Sequence, residues 1–106
     1  MWFSLKELTL GVQIDKKDII ANLPKKGFKK VENGDHIYFT LEIDGIDKGI
    51  YTYVSHGTIK TYSGQLLGAL KNQLKLNSSM QVKELCECPM TQEKYLELLR
   101  SKNIIN

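Results

Sequence analysis

The sequence predicts a mixed α+β domain in which helices cover one face of a three-stranded antiparallel sheet. The segment "HIYFTLEI", residues 36–43, alternates apolar and polar residues with the period of two that a half-buried strand requires. Before it, residues 15–23 carry an apolar stripe at helical spacing, and after it a leucine-rich helical pattern starts at Ser63. The order is therefore helix, three strands, helix, followed by further helical segments.

Composition narrows the class of protein. The chain has 106 residues, of which 42% are hydrophobic and 25% charged, as expected for one folded globular domain and not for a disordered chain. No stretch approaches the ~20 apolar residues of a membrane span, and Lys6 and Glu7 interrupt the N-terminus, unlike a signal peptide. We therefore expect no membrane partner and a cytoplasmic location. Cys86 and Cys88 should stay reduced there, because one intervening residue would strain a disulfide.

The N-terminal part is predicted to hold one clear helix. Upstream of it, "FSLKEL" (residues 3–8) fits a short helix and "LTLGVQI" (residues 8–14) an extended lead-in. Asp15 is a good N-cap for the helix that follows, because its side chain can accept a backbone hydrogen bond. Pro24 lacks an N–H and ends or kinks that helix, and Gly27 closes the turn.

Three predicted strands follow, joined by tight turns. Phe28 starts the short strand "FKKVE", which ends at "NGD" (residues 33–35), a strong hairpin signal because Asn and Gly tolerate positive φ. The strand 36–43 runs into "DGIDKG" (residues 44–49), the predicted second turn. The third strand is "IYTYVSH" (residues 50–56), and since apolar residues occupy both of its faces, the sequence leaves its facing open.

Helical patterns fill the rest of the chain. The helix from Ser63 carries leucines that are predicted core residues: Leu66, Leu67, Leu70 and Leu74. A second helix, "SMQVKELCE", is capped by Ser78 or Ser79 and broken at Pro89. The last helix, "QEKYLELLRSK", is capped by Thr91. Its spacing predicts a buried stripe of Tyr95, Leu98 and Leu99.

A histidine opens the second strand, directly after the hairpin turn. If Ile37, Phe39 and Leu41 face the helices, His36 must face away, where solvent or a ligand can reach it. An imidazole there titrates near neutral pH and can transfer protons. A simple hairpin register centred in the second turn would place His56 opposite His36. The plain alternative is an exposed strand histidine with no such role.

Lysines cluster around the first strand: Lys25, Lys26, Lys29 and Lys30. Such a cluster attracts polyanions and can hold an RNA backbone, and Tyr38, on the same face as His36, can stack on a base. Each observation has a structural alternative, namely a solvated lysine face and a tyrosine that packs across strands. Tyr51 and Tyr53 are interpreted as sheet packing.

Short motifs occur in a fixed order along residues 15–77. A Gly–Phe pair begins the first strand, a glycine precedes the histidine of the second by two residues, and a His–Gly pair ends the third: Gly27, Phe28, Gly34, His36, His56 and Gly57. In this order the chain resembles the HicA toxin family, in which the turn reads Gly–Ser–His; here Asp35 stands in place of the serine. The resemblance implies a double-stranded-RNA-binding-domain-like α-β-β-β-α fold over residues 15–77, with residues 78–106 as a helical extension of the same single domain.

The resemblance also implies an activity and a partner. HicA-like toxins cleave RNA as mRNA interferases and are held inactive by a HicB antitoxin. His36 would match the catalytic histidine, a general acid/base in metal-independent endoribonuclease chemistry, with His56 as the candidate second group. No metal or cofactor is expected. Asp35 favours the imidazolium but repels phosphate, which keeps open a non-catalytic RNA- or protein-binding module of the same fold, or a self-associating structural subunit.

Overall fold

The computed structural model describes residues 11–87 and 89–106, so the helix predicted at residues 3–8 and the Cys88 thiol lie outside the described ranges. Within them the protein is α+β. The helices are α1 (Lys16–Asn22), α2 (Gly64–Gln73), α3 (Ser79–Cys86) and α4 (Gln92–Ser101). The strands are β1 (Gln13–Asp15), β2 (Phe28–Asn33), β3 (His36–Ile43), β4 (Ile46–Ser55) and β5 (Thr61–Ser63). No helix in this part of the chain is long and apolar enough to cross a membrane.

The main sheet is antiparallel, in the order β2-β3-β4, and β1 pairs separately with β5. The β2–β3 hairpin turns at Gly34 and Asp35, with Asn33 opposite His36 and Gly34 at φ 64°, which confirms the hairpin predicted from "NGD". The turn before β2 is confirmed as well, because Gly27 closes it at φ 96° after a short 3₁₀ helix, Pro24–Lys26. The β1–β5 pair was not predicted, since strands of three residues are too short to show alternation.

The turn between β3 and β4 is shorter than predicted. It occupies only Asp44 and Gly45, both at positive φ, so that Ile43 pairs with Ile46. The remaining residues of "DGIDKG" belong to β4, where an irregularity shifts the register between Thr40 and Glu42 of β3. Such a bulge adds residues to one strand only and displaces everything beyond it relative to the partner strand.

Helices cover one face of the main sheet. Ile37, Phe39 and Leu41 of β3 are buried on that face, as their alternation predicts. The facing of β4, which the sequence left open, is settled by its buried residues: Ile50, Thr52 and Val54. Tyr51 and Tyr53 therefore point to the other side of the sheet, together with His36.

The helices begin close to the predicted caps. Asp15 occupies the N-cap position of α1 but its side chain makes no capping hydrogen bond, whereas the Thr91 hydroxyl of α4 accepts from the N–H of Lys94 at 3.1 Å. Ser78, not Ser79, caps α3. In α2 the prediction for Leu66 is wrong, because its side chain is 43% exposed. The other three leucines of that pattern are buried: Leu67, Leu70 and Leu74. They follow a 3–4 spacing along α2 that leaves Leu66 at the side of the helix.

The C-terminal helices share the core of the sheet. Tyr95 of α4 is fully buried, its ring centroid lies 5.8 Å from that of Phe28, and its hydroxyl donates to the carbonyl of Leu74 at 2.7 Å. Phe28 pairs with Leu41 and so lies on the helix-covered face. The extension consequently packs on the side of the sheet opposite to His36.

Candidate nucleic-acid interface

The face of the main sheet away from the helices carries an aromatic cluster that includes His36. His36 follows the Gly34–Asp35 turn and is half-buried. Its ring meets that of Tyr53 edge-on, with centroids 5.0 Å apart and planes at 89°, and lies 6.0 Å from that of Tyr38. Tyr38 in turn lies 5.6 Å from Tyr53 and 6.5 Å from Tyr51. We call these four residues, His36, Tyr38, Tyr51 and Tyr53, the aromatic face.

The aromatic face is open to solvent. Tyr51 is 52% exposed and Tyr53 is 40% exposed, although neighbouring rings contact both of them. The tyrosines thus do pack within the sheet, as predicted for Tyr51 and Tyr53, but they also present flat ring surface outward. Aromatic rings on a sheet surface are platforms on which unpaired bases stack.

A groove lies beside His36, between β4 and α2. Its volume is about 150 Å³. The sheet contributes His36, Tyr53 and Ser55 to its walls, and α2 contributes Leu66, Ala69 and Gln73. The Ser55 Oγ is buried, with no hydrogen-bond partner among the described residues. We call this feature the β4–α2 groove.

The register separates the two histidines that the sequence predicted to lie opposite each other. His36 pairs with Ser55, one residue short of His56, because the β4 bulge and the shorter turn together shift the pairing. The backbone N–H of His56 instead donates to the carbonyl of Asp35 at 2.9 Å. A shift of one residue moves a side chain to the other face of a strand.

The side chain of His56 lies on the other face of the sheet. Its Nε2 is 3.6 Å from the Glu32 carboxylate, and both side chains are well exposed. Glu32 pairs with Ile37, whose side chain faces the helices, so His56 and Glu32 belong to that side. The structure therefore does not bring His56 and His36 together at one site.

The predicted lysine cluster divides among four environments. Lys29 pairs with Thr40 and shares the side of His36, whereas Lys30 points to the other side and lies 3.8 Å from the Glu32 carboxylate. Lys25 is exposed in the 3₁₀ turn. The prediction for Lys26 is wrong, since Lys26 is only 4% exposed and its ammonium donates to the carbonyls of Leu85, at 3.1 Å, and Met90. Its charge stabilises the chain internally and does not reach the surface.

Charge varies along the side of the sheet that carries His36. Glu42 continues this side toward the other end of β3 and pairs with Asp47. Lys29, which pairs with Thr40, lies toward that same end, four residues along β3 from His36. Two carboxylates at that end repel a phosphate backbone, and Lys29 offsets part of this repulsion.

A lysine outside the predicted set holds the loop after β4. The ammonium of Lys16, at the start of α1, donates to the carbonyls of Ser55 at 2.8 Å and Gly57 at 3.0 Å. The Tyr62 hydroxyl accepts from the N–H of Ser55 at 3.2 Å. These contacts fix the wall of the groove beside His36. The sequence gives no signal for the two Lys16 contacts, because they join residues about 40 positions apart.

Comparison of the chain with models of known protein families, with curated proteins and with solved structures returns no match. The chemistry of the interface is therefore inferred from its own residues.

Proposed function

We propose that the protein binds single-stranded RNA on the aromatic face and that His36 acts there as general acid/base in metal-independent RNA cleavage. The observation that carries the proposal is the exposed cluster of a histidine in edge contact with a tyrosine, beside two further tyrosines. Tyrosine rings give sequence-tolerant stacking surface, and the imidazole of His36 supplies a nitrogen that can accept or donate a proton.

The order of elements supports the proposed HicA-like relationship. If the short strands β1 and β5, which pair with each other, are set aside, α1, β2, β3, β4 and α2 are compatible with the α-β-β-β-α order of double-stranded-RNA-binding-domain-like folds. Two of the three glycines matched to the family, Gly27 and Gly34, have positive φ, in the turns before β2 and before His36. On this proposal the protein is a cytoplasmic mRNA interferase.

The proposed reaction uses the RNA as its own nucleophile. His36 accepts the proton of a 2′-hydroxyl, whose oxygen attacks the adjacent phosphorus. The bond from phosphorus to the 5′ oxygen then breaks, which leaves a 2′,3′-cyclic phosphate, and a water molecule protonates the departing 5′ oxygen. Tyr38 and Tyr53, whose rings lie 6.0 Å and 5.0 Å from that of His36, are the proposed hydrogen-bond donors for the charge that develops on phosphate, and Lys29, farther along the same side, would contact a neighbouring phosphate. His56 takes no part in this scheme, since it lies on the other side.

The same surface is the proposed contact for an antitoxin. A HicB-like partner that covers the aromatic face would block both stacking and access to His36. The C-terminal helices leave that face uncovered, so they do not supply inhibition from within the chain.

A non-catalytic RNA-binding module is the second candidate, and a specific observation favours it. The described residues bring no second histidine to the side of His36, and Asp35 adds a carboxylate beside the proposed site. RNA held by stacking alone needs neither a second acid/base group nor a serine at position 35.

The test compares cleavage of a mixed-sequence single-stranded RNA in EDTA by the wild type, His36→Ala and His56→Ala. The proposal predicts cleavage by the wild type, loss of at least about 100-fold of the rate in His36→Ala, the usual contribution of a general acid/base, and near-normal rates in His56→Ala. His56→Ala is the matched control, because it removes an exposed imidazole from the other side of the sheet.

Each other outcome has a definite meaning. RNA binding without cleavage by any of the three proteins would favour the non-catalytic module. Equal loss of cleavage in both histidine variants would contradict the assignment of the reaction to one side of the sheet. Absence of RNA binding by the wild type would overturn the proposal.

A further inference from the structure

The β4–α2 groove has the size of a single six-membered ring. Its volume is about 150 Å³. An apolar cavity of about that volume accommodates benzene in an engineered protein, so the groove has room for the single ring of a pyrimidine. The walls are suited to a flat ring, since they combine the ring of Tyr53 with the aliphatic side chains of Ile59 and Leu66.

Polar groups in the groove match one edge of a pyrimidine. The Ser55 hydroxyl is buried without a partner in the described part of the chain, and such groups in native structures call for a reason, a ligand among them. Thr52 Oγ1 donates to Gln73 Oε1 at 2.5 Å, which turns the carbonyl of that amide toward β4 and leaves its NH₂ group as a donor. Uracil and cytosine both carry a carbonyl oxygen at C2, and adenine carries none.

We propose that the β4–α2 groove binds one pyrimidine base of a single-stranded RNA, with Ser55 and Gln73 donating hydrogen bonds to its C2 carbonyl. The proposal rests on RNA binding at the aromatic face and names the class of base that this site selects. Tyr53 belongs both to the aromatic face and to the groove, and His36, which pairs with Ser55, also lines the groove, so a base bound there lies next to the imidazole. The Ser55 Oγ is buried, so the proposed contact requires that Ser55 rotates about χ1 when the base binds.

The test measures binding of uncleavable 2′-O-methyl decamers of uridine, cytidine and adenosine by fluorescence anisotropy. The uridine and cytidine oligomers should bind roughly three- to tenfold tighter than the adenosine oligomer, the range that one or two hydrogen bonds supply. Ser55→Ala and Gln73→Ala should each lower this ratio toward one. Ala69→Trp, which fills the groove from the exposed side of α2, should abolish it while stacking on the aromatic face continues.

Ser101→Ala is the matched control, because it removes a serine hydroxyl from the exposed surface of α4. Thermal unfolding separates recognition from folding: Ser55→Ala should keep the wild-type Tm, since its hydroxyl has no partner to lose. Equal binding of all oligomers by the wild type would overturn the groove proposal and leave RNA binding standing. Failure to bind any oligomer would overturn both proposals.

Discussion

At the scale of single residues, the buried ammonium of Lys26 links the turn before β2 to the region at the end of α3. The Lys26 ammonium, in the turn before β2, donates to the carbonyls of Leu85 and Met90 near the end of α3. Carbonyls at a helix end lack partners within the helix, so a lysine that reaches them replaces water. The neighbouring Lys25 is exposed. Two adjacent lysines therefore differ in role, one structural and one solvated.

Replacing Lys26 should consequently destabilise the fold. We expect Lys26→Met to lower the free energy of unfolding by about 2–3 kcal/mol, because hydrogen bonds made by a charged group are lost and two carbonyls keep no partner. Lys25→Met should change it by less than about 0.5 kcal/mol. Urea unfolding of the two variants measures the difference, and equal stabilities would contradict the structural role of Lys26.

Burial of the Cys86 thiol and the Tyr95 hydroxyl should lower the stability of the fold at alkaline pH. Burial raises the pKa of the Cys86 thiol from 9.0 to about 12, and it raises the pKa of the Tyr95 hydroxyl above its usual value of 10.0. Because the unfolded thiol ionises first, the stability that these neutral groups contribute is complete below pH 9 and is lost as pH rises toward 12. At pH 10 the Cys86 contribution should have fallen by about 1.4 kcal/mol.

The variant Cys86→Ala tests directly whether the Cys86 thiol makes stability fall as pH rises. The variant is expected to be less stable at pH 7, since it loses a buried side chain, but its stability should fall less between pH 8 and pH 10 than that of the wild type. Urea unfolding at intervals across that range gives both slopes. Parallel slopes would show that the Cys86 thiol ionises equally in the folded and unfolded chains.

At the scale of elements, the alternation of strands decides which residues meet. Lys29 and Lys30 are neighbours in β2, yet Lys29 shares the side of His36 and Lys30 faces the side of Glu32. The same alternation, displaced by a bulge in β4, separates His56 from His36. Sheet register therefore controls the composition of the proposed RNA site.

Lys29 and Lys30 provide a matched test of which side of the sheet binds RNA. Lys29→Ala should weaken binding of single-stranded RNA and reduce the slope of log K against log salt concentration by about 0.7, the value for one phosphate contact. Lys30→Ala should leave both unchanged, since its partner is the Glu32 carboxylate on the other side. Anisotropy titrations between low and moderate salt provide the slopes. If Lys30→Ala weakened RNA binding more than Lys29→Ala did, the RNA would lie on the side of Glu32, which would contradict the proposal.

Features that depend on a few neighbouring residues can be predicted from the sequence, whereas features that depend on contacts between distant residues cannot. The hairpin at Gly34 and the burial of Ile37, Phe39 and Leu41 follow from turn chemistry and a period of two, and both are confirmed. The bulge in β4 depends on pairing with β3 and leaves no local pattern. Burial of Lys26 depends on carbonyls about 60 residues away. Local patterns therefore predicted that His36 and Tyr38 share the side of the sheet away from the helices, but not that Tyr53 rather than His56 lies beside His36.

At the scale of the whole molecule, the C-terminal helices belong to the core. One hydrophobic cluster contains residues from β2, β3 and α2 together with Val82, Leu85, Cys86, Tyr95 and Leu99. A domain of this size has a total stability of about 5–15 kcal/mol, and replacing one buried aromatic residue by alanine costs about 3–5 kcal/mol. Residues 15–77 therefore depend on residues 78–106 for their stability.

Truncation tests this dependence. A chain that ends at Asn77 should fail to show cooperative thermal unfolding or dispersed amide proton resonances, because the side of Phe28 and Leu41 would face water. Tyr95→Ala in the full chain should lower the free energy of unfolding by at least about 3 kcal/mol. A cooperatively folded chain of residues 1–77 would contradict the single shared core.

The central claim is that RNA docks on the aromatic face, and photo-cross-linking with 4-thiouridine-containing RNA tests it most directly. After irradiation, digestion and mass spectrometry, our account predicts RNA adducts at Tyr38, Tyr51 and Tyr53, and competition by unmodified RNA should suppress them. Adducts confined to Lys30, Glu32 and His56, on the other side of the sheet, would contradict it.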